Sequence, residues 1–450
     1  MATSTTRRGG EMATTGVERR AQRARQEPHT RYTALMHHFT VGNLRAGFES
    51  LDGKKATGGN GVTKALYGQP LEDNLQALHR KRHQRAYRPQ PVRRVEMPKD
   101  NGGTRPLGIS CLEDKIVQEM ARHSLEAIYE PVLLDTSYGC RPGRSCHEAL
   151  RQLNDEVMRA PVNSIADLEL ARFFETMPHV ESLAGLAERL ADQAFLRLIA
   201  RMLKAGVQTP GGVVYDALGS PQGSLVSPVI ANAFLDHVLD QWFVQTVRQH
   251  CRGYCALIRS ADNALVVFEH GQDAQRFMRV LPKRLGKLGV CLNHEKTHLL
   301  AFGTQQAWQV FREGTPLLTF DYLGFTHSWG RSRTGKARLK RKTSKKRVRR
   351  ALVEINAWLR QERNPRKLPD LWQAGAGKIR GHLTSCGVTD NSHALKQFRM
   401  AVRRLRFKWL NRRSQRRSFT WAGFLRYEAR SPLPRPTRVV PLIPRWSRTV

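Results

Sequence analysis

The chain has 450 residues, 40% of them hydrophobic, which is enough for two or three domains with substantial cores. Its 75 Lys and Arg against 38 Asp and Glu leave a formal net charge of +37. Such self-repulsion favours a polyanionic partner, nucleic acid first and a membrane surface second. No apolar run approaches the length of a bilayer span, so an integral helical membrane protein is excluded.

Neither the cysteines nor the first residues carry a specific signal. The seven cysteines are scattered, and no second Cys or His pair completes a zinc site with Cys251 and Cys255, so reduced thiols are expected. Residues 1–32 are rich in Thr, Arg and Gly and predict a disordered basic tail. A cytoplasmic location follows, or an organellar one if this tail is a transit peptide, although its acidic residues are atypical of one.

The next segments predict helices and then a hairpin. Met36, Phe39, Leu44 and Phe48 recur at near-helical spacing within residues 33–90. Alternation over residues 92–99 predicts a strand, residues 100–103 a tight turn, and residues 104–109 the return strand. Lys99 and Arg105 would then lie close together as a clamp for phosphates, or as an exposed basic hairpin that touches phosphates nonspecifically.

Two loops follow, each of which opens a helix. An apolar helix over residues 116–129 precedes a Gly/Pro turn with Arg141 and Arg144, which suits a phosphate backbone at a helix N-terminus. A helix is predicted over residues 183–202. A second loop, residues 218–224, contains Gln222 and leads into a buried helix over residues 226–235.

Acidic residues occur at two predicted strands. Asp167 and Glu169 are two residues apart on one strand, so both side chains point to the same face. Asp262 and Asn263 precede the apolar run 264–268, which predicts a β-hairpin with the polar pair at its turn. Further helices are expected over about 272–288, and from Val348 onward after a basic block at residues 331–350.

These blocks, taken together and in order, resemble the reverse transcriptases of group II introns. The run Ser260-Ala261-Asp262-Asn263 resembles their Tyr-Ala-Asp-Asp hairpin, and the loops at 139–145 and 220–232 resemble two further blocks. The resemblance covers about residues 33–435. It implies an α+β right-hand polymerase: an N-terminal extension at 33–90, fingers and palm with an antiparallel sheet at 91–328, and a basic linker with an α-helical thumb or maturase-specific domain at 329–450.

The resemblance also implies roles for individual residues. Glu169, Asp262 and Asn263 stand at the three catalytic carboxylate positions, Asp167 is a further candidate, and Glu169 and Asp262 would hold Mg²⁺. Nucleotide or template contacts fall on Lys99, Arg105, Arg141, Arg144, Phe174, Gln222 and Lys296. RNA contacts in the basic block and the C-terminal helix fall on Lys340, Arg341, Lys345, Lys346, Arg404, Lys408, Trp409, Arg412 and Arg413. The partners implied are group II intron RNA or other structured RNA, and a DNA primer.

Three departures from the family pattern bear on activity. Glu replaces Asp at 169, Asn replaces Asp at 263, and Ser replaces the aromatic residue at 260. An amide oxygen is a poorer Mg²⁺ ligand than a carboxylate. The first hypothesis is therefore a maturase-like RNA-binding protein that stabilises intron RNA for splicing, with an impaired polymerase site. The alternatives are an active RNA-directed DNA polymerase with an altered metal site, and a repurposed structural RNA binder.

Overall fold

The computed structural model describes residues 11–98, 103–209, 211–215, 218–221, 223–316, 318–332, 334–414, 419–436 and 439–442. It divides into two compact units. The first unit comprises Met1–Ser145 and Ser164–Leu300, and the second comprises Cys146–Asn163 and Ala301–Val450. Both contain helices and strands, which confirms the predicted α+β class. No helix in the described ranges is long and apolar enough to cross a bilayer.

The first unit alternates helices with short strands. Its helices are α1 (Glu11–Gln26), α2 (Val41–Ser50), α3 (Lys64–Tyr67), α4 (Leu71–His83), α5 (Leu112–Tyr129), α7 (Phe173–Thr176), α8 (His179–Ala187), α9 (Gln193–Leu203), α10 (Ser227–Leu235), α11 (Arg248–His250) and α12 (Gly271–Gly286), with a 3-10 turn at Met36–His38 and π-helical turns at Asp236–Asp240 and Phe243–Val247. Its strands are β1 (Val92–Pro98), β2 (Thr104–Ile109), β3 (Ser164–Glu169), β4 (Val207–Thr209), β5 (Gly212–Val214), β6 (Cys255–Ser260), β7 (Asn263–Phe268) and β8 (His298–Ala301).

Two four-stranded sheets organise this unit. One has the order β2-β1-β4-β5 and the other the order β6-β7-β3-β8. The predicted hairpin of β1 and β2 is confirmed, with Met97 paired to Arg105, while its turn with Lys99 lies outside the described residues. The apolar run of β7 is buried, as expected of the central strand of a covered sheet. In the main core, α12 packs against β3 and β7 of this sheet.

The N-terminal segment corrects a prediction. Residues 11–26 form helix α1 and not part of a disordered tail. Ala24 is fully buried, and the backbone N–H of Tyr32 donates to the carbonyl of Arg189 at 2.8 Å. The apolar stripe of α1 is narrow because many of its residues are arginines. An argument from composition therefore did not predict this helix. Residues 1–10 lie outside the described residues.

The helix predicted over residues 183–202 is two helices, α8 and α9. Asp192 separates them because its carboxylate caps α9, accepting from the backbone N–H groups of Ala194 and Phe195 at 3.0 Å each. The second oxygen of this carboxylate accepts from the backbone N–H of Leu35 at 2.7 Å. Because the Asp192 side chain bonds two separate segments, it fixes the position at which α8 and α9 are divided. The apolar periodicity alone does not indicate this boundary.

The second unit consists of a small sheet and helices. Its elements are α6 (Cys146–Arg159), α13 (Thr304–Glu313), β9 (Thr319–Tyr322), β10 (Phe325–Arg331), β11 (Ala337–Thr343), α14 (Lys345–Glu362), α15 (Leu368–Ser385), α16 (Ser392–Leu410) and α17 (Trp421–Arg430). The strand order is β11-β10-β9.

The basic block at residues 331–350 is not the linker that the sequence suggested. β11 pairs antiparallel with β10 along its whole length, and α14 begins two residues later. Asn391, which is fully buried, fixes this strand: its Oδ1 accepts from the N–H of Thr343 at 2.8 Å, and its Nδ2 donates to the carbonyl of Cys386 at 2.8 Å. The sheet and the helices of this unit therefore share one hydrogen-bonded support.

Candidate functional site

The centre of the site is the hairpin of β6 and β7. Ser260 pairs with Asn263, so Ala261 and Asp262 form a two-residue turn. Ala261 has φ 56°, a left-handed conformation that costs a residue with a Cβ about 1 kcal/mol. Gly139 packs against this turn, since a Cβ there would lie 2.4 Å from the backbone N of Ala261. The loop before Arg141 thus touches the hairpin tip.

A buried ion pair supports the turn from behind. The guanidinium of Arg259 donates to the carboxylate of Asp240 at 2.6 and 2.8 Å, and both side chains are almost completely buried. Arg259 also donates to the carbonyl of Ala261 at 3.2 Å and to Asn232 at 3.1 Å. The amide of Asn232 in turn donates to the carbonyl of Gly139 at 2.8 Å. This network holds the strained turn in place.

Sequence reasoning missed this support. Arg259 on β6 and Asp240 on a π-helical turn are 19 positions apart in the sequence, and no local sequence pattern links them. The one available signal was an arginine inside an apolar strand pattern, because a buried charge requires a partner.

Strand β3 brings the acidic residues to the hairpin. Glu169 pairs with Asn263 in the antiparallel register of β3 and β7. Asp167 and Glu169 are partly exposed while Leu168 between them is buried, so the two acids share one face as predicted. Burial raises the pKa of the Asp262 carboxyl above its usual range, and the charge of Glu169 raises it further. The carboxylates of Glu169 and Asp262 are thus close enough to repel.

The same residues are already engaged with protein groups. The ammonium of Lys296 bonds the Glu169 carboxylate, and the amide of Asn263 donates to the Asp262 carboxylate at 3.2 Å. No group of three or more His, Cys, Asp or Glu in the described ranges is arranged to hold a metal ion. Asn263 offers an amide oxygen where a carboxylate would bind Mg²⁺ more strongly, and one Mg²⁺ ion between Glu169 and Asp262 would compete with Lys296 for the Glu169 carboxylate.

A cavity of about 250 Å³ lies among β1, β2, α7 and the loop at residues 218–221. Phe174, Gly108 and Ser220 line it, and Phe174 stacks edge-on against Phe173 with ring centroids 5.4 Å apart. Arg105 is exposed near the start of β2, and its charge acts on the Asp262 carboxyl. Gln222 lies outside the described residues. The nucleotide contacts of Phe174 and Arg105 stay predictions.

Arg141 does not present its charge to a phosphate. It is buried, donates to both carboxylate oxygens of Glu130 at 3.0 Å, and donates to the carbonyl of Leu134 at 2.6 Å. Its guanidinium holds the loop together, which corrects the role predicted from the motif. Arg144 bonds the exposed carboxylate of Asp135, a pair that a phosphate could displace.

The predicted RNA contacts in the second unit divide into exposed and buried residues. Lys340, Lys345, Lys346, Arg404 and Lys408 are exposed. None of these five forms an ion pair with another described residue. Arg341 is the exception in the strand: it is buried and donates to Asn154 at 2.6 Å. The alternation of β11 turns Arg341 into the core while Lys340 faces out, so the predicted RNA contact by Arg341 is wrong.

Trp409 is also buried, and its indole N–H donates to Asn356 at 2.9 Å. It does not face RNA, in contrast to the prediction. Three cations lie over its ring, with Arg363, Lys408 and Arg412 at 4.8, 5.1 and 5.6 Å from the centroid. The tryptophan therefore gathers positive charge at the surface by cation–π attraction. Arg413 donates to the carbonyl of Arg366 at 3.2 Å.

Comparison with known proteins agrees with this geometry. The model of the family described as reverse transcriptase (RNA-dependent DNA polymerase) matches residues 97–327, just over half of the chain. The "Uncharacterized 91 kDa protein in cob intron" of Schizosaccharomyces pombe is 42% identical over 158 residues, which cover 35% of this chain and 19% of that protein.

Two further relatives extend the comparison. "Group II intron-encoded protein LtrA" of Lactococcus lactis is 33% identical over 199 residues, covering 44% of this chain and 33% of that protein. "Nuclear intron maturase 4, mitochondrial" of Arabidopsis thaliana is 26% identical over 140 residues, covering 31% of this chain and 17% of that protein. The matched part spans a third or less of each of these three proteins. The matches relate the chain to group II intron-encoded proteins.

Proposed function

Because the chain belongs to the reverse transcriptase family, we propose that it is a maturase-like protein that binds and stabilises group II intron RNA with an impaired polymerase site. The observation that carries this proposal is a contrast between the cations of the second unit and the acidic side chains at the hairpin. Five exposed cations of the second unit form no ion pair with a described residue, namely Lys340, Lys345, Lys346, Arg404 and Lys408. The acidic side chains at the hairpin, by contrast, are bonded to protein groups.

Electrostatics favour the RNA-binding part. Each cation that neutralises a phosphate releases a condensed counterion, so exposed unpaired lysines contribute affinity without any sequence readout. A cation already bonded to a carboxylate contributes less, since that bond must break first. The surface of Lys340, Lys345, Lys346, Arg404 and Lys408 is therefore the main candidate for RNA contact.

The hairpin geometry favours the impaired-polymerase part. Two divalent ions repel each other strongly, and in this fold three carboxylates normally offset that repulsion. Asn263 contributes no charge, and its amide donates a hydrogen bond to the Asp262 carboxylate. The longer side chain of Glu169 reaches the ammonium of Lys296. A carboxylate displaced by about 1 Å can lower a rate on the order of a hundredfold.

An active polymerase with an altered metal site is the second candidate. It is favoured by Asp167, which shares the face of Glu169 and is partly exposed. In that case Asp167 would supply the ligand that Asn263 lacks.

Primer extension on an RNA template separates the two candidates. We expect little or no synthesis by the unmodified protein, and an increase of at least tenfold in the double variant Glu169→Asp, Asn263→Asp. Ser260 is left unchanged because it is buried where Gly139 contacts the turn. RNA affinity, measured in parallel by filter binding, should be equal in both proteins.

The outcome that would contradict the proposal is efficient synthesis by the unmodified chain. If that synthesis disappears in Asp262→Ala and also in Asp167→Asn, the second candidate is correct. Asp135→Asn serves as a control because this exposed acid belongs to the same unit and its ion pair in the described residues is with Arg144.

A further inference from the structure

The second unit contains a cavity of about 340 Å³ that none of the predicted RNA contacts uses. It lies among α14, α15, α16 and the segment after α17. Its lining includes Trp358, Trp372 and Ile379 as apolar walls, and Lys378, Arg380 and Arg406 as cations. The described residues that line it include no Asp or Glu. Its size falls within the range of small-ligand sites, about 300–1,000 Å³.

The aromatic walls are held in place from behind. The indole N–H of Trp372 donates to the hydroxyl of Tyr427 at 2.8 Å, and the Arg406 guanidinium stacks on the ring at 4.2 Å from its centroid. Trp358 lies against Gly375 of α15, where a Cβ would come within 3.2 Å of its ring. Both indoles are thus fixed before any ligand arrives, which lowers the entropic cost of stacking on them.

The buried cation at this cavity retains an unused donor. Arg406 is buried, and it donates through Nη1 to Glu428 at 3.3 Å and through Nη2 to the carbonyl of Ser431 at 3.1 Å. Its Nε–H is buried and has no hydrogen-bond partner among the described residues. A buried N–H without a partner is costly, and the charge of this guanidinium adds to the positive potential of the cavity.

We infer that this cavity binds one unstacked nucleotide of the RNA, with the base against the tryptophans and its phosphates near Lys378 and Arg380. The inference rests on the proposed RNA-binding function and adds a site to it. Base–aromatic stacking tolerates any base, so the site requires no base-specific hydrogen bond. Lys378 and Arg380 are exposed at the mouth, where the sugar-phosphate chain would leave the cavity. An apolar protein segment would leave the charges of Lys378 and Arg380 without a partner.

The test compares two RNA hairpins that differ by a single unpaired adenosine, a bulge, in the stem. At a salt concentration where both bind, we expect the bulged hairpin to bind the full-length protein about tenfold more tightly, the order of one base–aromatic stack. Trp358→Ala should abolish this preference while leaving affinity for the paired hairpin unchanged. Ala376→Leu, which fills the cavity and removes no aromatic group, should do the same.

Trp308→Ala is the matched control, because Trp308 is an exposed tryptophan of the same unit that does not line the cavity. It should retain the preference. Circular dichroism of each variant confirms that the fold is intact. Excess adenosine monophosphate distinguishes a nucleotide within RNA from a free one: it should not compete with the bulged hairpin at concentrations near those of the RNA, and effective competition would assign the cavity to free nucleotides.

Equal affinity for the two hairpins, or a preference that survives in both cavity variants, would overturn the inference and leave the RNA-binding function standing. Failure to bind either hairpin would instead contradict the proposed function, and with it the inference.

Discussion

The cationic side chains of two regions of the molecule have opposite environments. Around the hairpin of the first unit, Arg141, Arg259 and Lys296 each bond a carboxylate, and Arg259 and Arg141 are buried. In the second unit, Lys340, Lys345, Lys346, Arg404 and Lys408 point outward with no ion pair to a described residue. The same residue types therefore serve as internal supports in one region and as a surface for a polyanion in the other.

The largest effect on stability should come from breaking the buried ion pair of Arg259 and Asp240. Arg259→Met leaves the Asp240 carboxylate buried without a partner, and we expect a loss of about 3–5 kcal/mol in the free energy of unfolding of the first unit. Urea denaturation followed by circular dichroism measures this loss. The double variant Arg259→Met, Asp240→Leu removes both charges and should recover most of it. A loss below about 1 kcal/mol in the single variant would show that the pair does not support the hairpin.

A second test uses a buried histidine of the second unit. Burial, with a contribution from the charge of Arg341, lowers the pKa of His327 to about 3. The unfolded chain gains a proton below its ordinary pKa while the folded chain does not. Stability is therefore full above about pH 6.5 and falls on acidification, by up to about 3 kcal/mol between about pH 7 and pH 4.

His327→Phe should remove this dependence, since the side chain already stacks on Phe320 with centroids 4.9 Å apart. Thermal unfolding at the two pH values measures the difference, and His393→Phe, at an exposed histidine of the same unit, is the control. An identical acid response in the His327 variant would show that this histidine is not the titrating group.

A smaller effect is expected at Asp236, which lies on the π-helical turn with Asp240. Burial first and the charge of Asp240 second raise the pKa of this carboxyl to about 6. A raised acid costs stability once it ionises, so Asp236→Asn should gain about 1–2 kcal/mol at about pH 7.5 and almost nothing at about pH 3.5. Unfolding experiments at both pH values test it, and an equal gain at both would attribute the change to packing.

The sequence predicted the elements that depend on local pattern. The hairpin of β6 and β7, the shared face of Asp167 and Glu169, and the helical spacing in α5 and α12 follow from periodicity alone. It did not predict which arginines are buried. Arg341 and Lys340 differ only in strand face, and the partners Asn154 and Glu130 are distant or unmarked in sequence. Burial of a cation is a tertiary property, so motif matches overestimate the number of phosphate contacts.

The central claim, that the second unit supplies the RNA-binding charge, is tested most directly by the salt dependence of RNA affinity. Log Kd should be measured against log salt for the unmodified chain, for Lys340, Lys345, Lys346 and Arg404 changed together to Gln, and for Lys296→Gln as the paired-cation control. The fourfold variant should reduce the slope by about 3, near 0.7–0.9 per phosphate contact, and the control by less than about 0.5. An unchanged slope in the fourfold variant, or an equal reduction in the Lys296 control, would contradict the account.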